Sequence, residues 1–351
     1  MIPATATPHK LTEPRILFFA DAGPSVGGGH VMRCLTLAQA LAVRGAACGF
    51  VATPAVCAIL DVFASAGVER VAVSGDSAEA LGAAALRWAA SAMVVDHYQF
   101  ELGHEARLRA AARPLLAIDD LRRRHDCDLV LDSNLDRTSA DYPGIETLAG
   151  PAYALVRPAF VERRDAVLAR RARGEAPRRL LVSLGLTDVE AITARVVEAV
   201  LPACGELGLD VVLGAGAPSL ERLRAISQSD ARVSLHVNTQ DMPTLTAAAD
   251  LAIGAGGSSV WERCCLGLPS ITLVLADNQR PNAQALQAAG ATLTLEAGAA
   301  DFEGSLRATL QRLTADAPLR QVVSQAAASL CDGRGADRVA DRLLALIAAH
   351  A

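Results

Sequence analysis

Twice along this 351-residue chain, a short apolar run leads into a cluster of glycines and then into residues at helical spacing. In the first half, Arg15-Ile-Leu-Phe-Phe-Ala20 is followed by Gly27, Gly28 and Gly29, and then by Val31, Cys34, Ala38 and Leu41. In the second half, Asp250-Leu-Ala-Ile253 leads to Gly254, Gly256 and Gly257, and then to Ser258, Ser259 and Glu262. The order strand, glycine loop, helix opens a doubly wound α/β unit, whose ligands bind beyond the carboxyl ends of the strands. Glycines let a ligand approach the backbone closely, and the first amides of a helix are unpaired donors at the positive end of its dipole. Both features suit a polar or anionic ligand.

Further apolar segments at 47–52, 92–95, 115–118 and 129–131 extend the first unit, and segments at 179–184, 209–213, 232–237, 251–253 and 271–275 build the second. Alternation of such runs with Ala- and Leu-rich helical stretches predicts an α/β chain of two doubly wound, Rossmann-like domains with parallel sheets, facing each other across a cleft. The expected division is a flexible tail at 1–14, a first domain at 15–160, a joint at 161–177 and a second domain at 178–351. The final helix is one that can pack back on the first domain. The joint carries Arg163, Arg170, Arg171 and Arg173, and an exposed basic helix accounts for these charges equally well.

The net charge of -5 argues against a surface built to grip phosphate backbones, so no nucleic-acid partner is expected. No apolar run approaches the roughly 18 residues that cross a bilayer, and the first residues lack the apolar core of a signal peptide. The chain therefore reads as a cytoplasmic monomer without membrane insertion. Its eight cysteines form no Cys-x-x-Cys pair and sit mostly in apolar segments, as small buried side chains do in a reducing compartment. Asp126-Cys127-Asp128 has the Asp-x-Asp spacing of some metal-dependent sugar transferases, but it begins a strand, away from the cleft. No metal and no cofactor is expected.

His30, just past the three glycines, is the first candidate for a general base, because the positive end of a helix disfavours an imidazolium. A histidine that merely caps the helix is the competing reading. Asp96 and Tyr98, Asp119, and Asn134 follow three predicted strands at the cleft side, where turn and capping roles are also common. Ser258, Ser259 and Glu262 suit a nucleotide, with hydroxyl and amides on phosphates and carboxylate on ribose, although Ser259-x-x-Glu262 also matches a capping box. Asp277, Asn278 and Gln279 cluster at a strand end, have no core role and can read sugar hydroxyls.

The stretches Gly27-Gly-Gly-His-Val-Met-Arg-Cys-Leu-Thr-Leu-Ala38, Asp96-His-Tyr98, Ile118-Asp-Asp-Leu121 and Gly150-Pro-x-Tyr-Ala-Leu-x-Arg-Pro158 occur in this order. Together with Gly254-Ala-Gly-Gly-Ser-Ser-x-Trp-Glu-Arg263 and Ala276-Asp-Asn-Gln279, they resemble the UDP-sugar hydrolases of bacterial pseudaminic acid biosynthesis. The resemblance runs from about residue 15 to 295. It implies the two-domain glycosyltransferase B architecture and a UDP-sugar substrate, a UDP-linked 2,4-diacetamido-2,4,6-trideoxy altrose. It also implies metal-independent attack of water at the anomeric carbon with inversion, releasing free sugar and UDP.

On the same basis His30 is the catalytic residue, Ser258 and nearby amides meet the diphosphate, Glu262 the ribose, and Asp277 to Gln279 the sugar or its neighbouring phosphate. The full substrate-binding set expected is Gly28, Gly29, Asp96, Tyr98, Asp119, Asn134, Ser183, Gly185, Gly257, Ser258, Ser259, Glu262, Asp277, Asn278 and Gln279. The chain departs from the family at Ser183-Leu-Gly-Leu-Thr-Asp188, where a second glycine usually stands at Leu186, so a side chain is added beside the expected diphosphate. A glycosyltransferase of the same fold and a noncatalytic UDP-sugar-binding protein are the alternative readings.

Overall fold

The computed structural model describes residues 13–23, 26–64 and 67–350; the expected tail at 1–14 lies outside the described residues apart from its last two positions. Two wholly parallel sheets organise the chain. The first contains β1 (Arg15–Ala20), β2 (Ala47–Val51), β3 (Val68–Val71), β4 (Ala92–Asp96), β5 (Leu115–Ile118), β6 (Leu129–Asp132) and β7 (Glu146–Ala149), in the spatial order β3-β2-β1-β4-β5-β6-β7. The second contains β8 (Arg179–Ser183), β9 (Gly208–Leu213), β10 (Val233–Val237), β11 (Leu251–Ala255), β12 (Ser270–Val274) and β13 (Leu293–Glu296), ordered β10-β9-β8-β11-β12-β13.

Inner strands are apolar at successive positions because helices cover both faces of the sheet. Ile16, Leu17, Phe18 and Phe19 of β1 are all buried, facing clusters on opposite sides. Three strands were not predicted: β3, β7 and β13. All three are sheet edges, half open to solvent, and residues such as Glu69, Arg70 and Glu146 interrupt the apolar run that would have revealed them.

The helix Gly29–Val43 follows the first glycine loop and buries Val31, Cys34, Leu37, Ala38 and Leu41 against the first sheet. Gly28 at its N-cap supplies no side-chain bond, so the opening amides of this helix remain donors. The stretch 161–177 expected as a joint is helical as far as Arg171, within the helix Pro158–Arg171. Its arginines are not a solvated stripe. Arg164 donates to the carbonyls of Ala328, Cys331 and Cys265, Arg170 to those of Ala247 and Ala249, and Arg171 to those of Ala249 and Leu266. These bonds hold the connecting helix to the carboxyl ends of helices in the second half.

The last helix, Gly335–His350, crosses back and places Ala336, Val339, Ala340 and Leu343 in the core beneath the first sheet, beside the helix Gly29–Val43. Close approach at the crossing requires glycine: a Cβ on Gly335 would lie 2.2 Å from the Ala154 carbonyl oxygen. Seven of the eight cysteines are buried, only Cys57 is partly open, and all are free thiols.

Candidate active site

The glycine loop and the start of the helix Gly29–Val43 lie at the carboxyl end of β1, and β4 ends beside it at Asp96. His30 is 6% exposed, and its Nδ1 lies 2.5 Å from Asp96 Oδ1. A carboxylate only accepts, so Nδ1 carries the proton, and in the neutral ring Nε2 holds the free lone pair. Among the described residues Nε2 has no hydrogen-bond partner, and it is not sealed from solvent. Histidine as a mere helix cap does not describe this geometry, because the ring is oriented by a carboxylate from a neighbouring strand.

Asp96 is wholly buried and fully engaged. Arg33 donates from Nε to Oδ2 at 2.6 Å and from Nη2 to Oδ1 at 2.6 Å, and the Cys34 thiol donates to Oδ2 at 3.6 Å. Burial alone would push its carboxyl up, but the Arg33 guanidinium and the His30 ring hold it well below the usual carboxylate range. The expectation that Asp96 contacts substrate is therefore corrected: it has no free face for a ligand and acts on His30 and Arg33.

Asp119 is corrected for the same reason. It is 1% exposed and accepts from the Arg123 side chain and amide and from the Tyr142 hydroxyl, with His125 Nε2 at 3.4 Å. Its role is to brace the loop after β5. The neighbouring Asp120, at the same strand end, is the one of the pair that faces the site. Its Oδ2 accepts from Arg33 at 3.3 Å and from the Tyr98 hydroxyl at 3.1 Å. Arg33 was missed, although its position three residues after His30 puts both on one face of the helix.

Tyr98 joins the two halves of the molecule. Its ring meets His30 edge-on with centroids 4.7 Å apart, and its hydroxyl accepts from Asn278 Nδ2 of the second domain at 2.9 Å. His97 between them is turned the other way, stacked on Phe19 with Nε2 3.6 Å from Asp21. Asn134 supports rather than lines the site, donating to the Asp120 carbonyl, while the next amide, Leu135, donates to Asn282 across the gap.

The second domain offers its loops to the same place. A Cβ on Gly29 would stand 3.8 Å from Ser258 Oγ, so that hydroxyl faces the residue next to His30. Gly257 beside it borders open space. The capping box expected as one reading of Ser259 and Glu262 is absent: no side chain caps the helix Ser259–Cys265, the Ser259 hydroxyl accepts from Arg263 Nη1, and Arg157 holds Glu262 through Oε1. Arg157 leaves Glu262 Oε2 without a partner among the described residues.

Ser183 ends β8, and Gly185 follows at φ 109°, a backbone setting that requires glycine. Leu186 reaches across the gap, so that a Cβ on Gly28 would lie 3.3 Å from its Cδ1 and 3.1 Å from Ile59 Cδ1. The loop beyond holds Asp188, Glu190 and Ala191 at positive φ, with buried Asp188 accepting from the amides of Thr193 and Ser219. Backbone strain of this kind persists only where the surroundings enforce it. Of the remaining predicted residues, Gln279 accepts from the Leu275 amide through Oε1, and Asp277 is solvated and paired with Arg280 at 2.7 Å, so it is not gathered around His30. Among the described residues no group of three or more His, Cys, Asp or Glu side chains is placed to hold a metal ion.

Comparison with known proteins agrees with this geometry at the level of fold. MurG of Acinetobacter baumannii superposes with a TM-score of 0.66 at 17% identity, covering 95% of this chain and 99% of that one. This chain has the glycosyltransferase B fold. The pattern of the glycosyltransferase family 28 C-terminal domain matches residues 189–339, the second lobe of that fold.

Two curated relatives are similar in sequence. The spore coat polysaccharide biosynthesis protein SpsG of Bacillus subtilis (strain 168) is 30% identical over 193 residues, which is 54% of this chain and 56% of that protein's length. The UDP-2,4-diacetamido-2,4,6-trideoxy-beta-L-altropyranose hydrolase of Campylobacter jejuni (strain ATCC 700819) is 22% identical over 275 residues, 77% of this chain and 94% of that protein. Within the glycosyltransferase B fold, His30, Tyr98 and Asp120 belong to the first lobe and Ser258, Glu262 and Asn278 to the second. Among the described residues, no helix is long and apolar enough to cross a membrane.

Proposed function

We propose that this chain hydrolyses a UDP-linked diacetamido-trideoxy hexose of altrose configuration, releasing UDP and free sugar. The observation that carries the reading is the His30 to Asp96 pair beneath Tyr98 and Asn278, a histidine with one nitrogen fixed and the other available at the junction of two nucleotide-sugar-type lobes. In this mechanism water attacks the anomeric carbon as its proton passes to His30 Nε2. The bond from that carbon to the phosphate oxygen breaks, and UDP departs with the electron pair, with inversion at the carbon. Diphosphate is already a competent leaving group, so a base for water and donors for the phosphates are the main requirements.

Ser258, the Gly257 amide and the amides after Gly28 supply donors to the diphosphate, and the free oxygen of Glu262 suits the ribose hydroxyls. Asn278 and Tyr98 close over the sugar. Direct contacts between the lobes, from Leu186 to Gly28, Asn278 to Tyr98 and Gln240 to the Val62 carbonyl, must part to admit substrate. The match to a glycosyltransferase family 28 domain favours a second reading, in which an acceptor hydroxyl takes the place of water.

Proton NMR of the purified chain with a panel of UDP-diacetamido sugars, and no acceptor, separates the two. Steady release of UDP and one first-formed anomer supports hydrolysis; no turnover until an acceptor is added overturns it. His30→Ala is expected to lose at least about a hundredfold in rate. Turnover that survives this substitution removes His30 from the mechanism.

A further inference from the structure

At the amino ends of the second sheet's strands, opposite the cleft, a cavity of about 270 Å³ is walled by Arg170, Arg171, Arg178, Arg179 and Arg320. It is separated from Ser183 by the length of β8, about 13 Å. Asp250 and Glu175 are the acidic residues on its wall. Their charges are spoken for: Asp250 lies 3.5 Å from Arg170, and Glu175 pairs with Arg173 at 2.9 Å. Arg179 is matched by buried Asp210 at 2.6 Å. That leaves the guanidinium groups of Arg171, Arg178 and Arg320 with no carboxylate within 4.0 Å among the described residues, although the Arg178 amide donates to Asp250 at 2.8 Å. Arg171 and Arg320 share the Asp250 charge at longer range, with Asp316 also acting on Arg320, so the wall carries more positive than negative charge in a chain whose net charge is -5.

Capping of helix ends accounts for part of this arrangement. Arg171 donates to the carbonyls of Thr246, Ala249 and Leu266, and Arg320 to those of Leu313, Thr314 and Glu175. Carbonyls at helix carboxyl ends carry only the partial negative charge of the dipole and so offset the guanidinium charges in part, and each guanidinium has five N–H donors, so both retain donors to spare. Arg320 is only 8% exposed, and a buried charge ordinarily requires a counter-charge. Burial, with Arg170 alongside, pulls the Arg171 guanidinium down to about 9. A second cavity of about 300 Å³ shares Arg171, Gln321 and Ser324 with the first, so an amide and a hydroxyl stand where a polar group attached to an anion would extend.

We propose that this cavity is a second ligand site, separate from the interlobe cleft, which binds a phosphate dianion, either inorganic phosphate or the phosphate of a sugar ester. Arg171 and Arg320 supply fixed donors and Arg178 closes over the ligand. Calorimetric titration of the full chain with sodium phosphate and with a hexose 1-phosphate, at ionic strength matched with sodium chloride, tests it. Arg178 is exposed and bonds Asp250 through its backbone amide, which glutamine keeps, while its side chain makes no hydrogen bond among the described residues, so Arg178→Gln leaves the fold intact. Saturable binding that weakens about tenfold in Arg178→Gln, the loss of one charge-assisted contact, supports the site; Arg320→Gln, checked for native circular dichroism, is expected to weaken it at least as much. A further loss in Ser324→Ala confined to the ester identifies the ester as the better ligand, while equal loss for both identifies the free ion. No saturable heat, equal binding in Arg178→Gln, or binding lost only in Ser258→Ala on the cleft side overturns the proposal.

Discussion

Replacing Asp96 by asparagine isolates the part of the site on which the proposed chemistry depends. Asparagine keeps the shape but offers one acceptor where the carboxylate offers two. If its oxygen faces His30, its amide points at the Arg33 Nε, donor against donor. If its amide faces His30, Nδ1 must accept, the proton moves to Nε2, and the lone pair that would take a proton from water is gone. Either way the buried Arg33 loses its counter-charge, since Asp96 supplies two contacts at 2.6 Å and Asp120 only one at 3.3 Å. Breaking a buried pair by removing one partner costs about 3–5 kcal/mol, which for a domain of this size lowers Tm by about 10 °C.

Loss of the oriented base lowers kcat by about 10²–10⁴-fold, with KM within about threefold, because Asp96 touches no part of the substrate. Steady-state release of UDP, measured well below the variant's own Tm, reads the rate, and ¹⁵N NMR of the His30 ring reads the tautomer without any substrate. A variant that folds, keeps the Nδ1 proton and turns over within a factor of about three of the wild type would refute the positioning role.

Three further outcomes are expected. Burial opposes a charge on His125, but the Glu105 carboxylate hydrogen-bonded to Nδ1 at 2.7 Å and the Asp119 carboxylate 3.4 Å from Nε2 outweigh it and lift the imidazole to about 9, against about 6.5 unfolded. Its stabilising contribution is therefore complete below pH ~6.5 and fades as pH rises through 9, by up to about 3 kcal/mol. Tm of the wild type should fall across that window and flatten in His125→Gln; a wild-type Tm indifferent to pH there would contradict this.

Tyr98→Phe removes the hydroxyl shared by Asp120 and Asn278. It should cut kcat/KM about tenfold and open the lobes in solution scattering while lowering Tm by about 2–8 °C, and an unchanged profile with unchanged kcat/KM would count against the bridge. Gly335→Ala drives a Cβ into the Ala154 carbonyl and should destabilise by about 1–3 kcal/mol, seen as a lower urea midpoint. Wild-type stability would show that the crossing is looser than described.

The inner strands of both sheets were legible because burial on two faces leaves an unbroken apolar run, as in β1 and β4. The edge strands β3, β7 and β13 were not, because half-exposed positions tolerate the Glu and Arg that erase the run. Gly28, Gly29 and His30 could be read as a candidate site because the strand, the turn and the first amides are contiguous in the chain.

Their partners could not be read in this way. Asp96 stands 66 residues from His30, and only the packing of β4 against β1 shows that its carboxylate is consumed by His30 and Arg33 rather than free for a ligand. The same holds for Asp119 and Asp120, adjacent residues of one type whose side chains meet opposite surroundings, one a buried bracing network and the other Arg33 and Tyr98. It holds too for the basic helix Pro158–Arg171, whose arginines seek carbonyls some 80 to 170 residues away. Local spacing therefore determined the backbone path of the strand, glycine loop and helix and the candidate place for a ligand. Which charged groups remain free to act there depends on the desolvation and pairing that distant segments impose, and only the tertiary structure decided that.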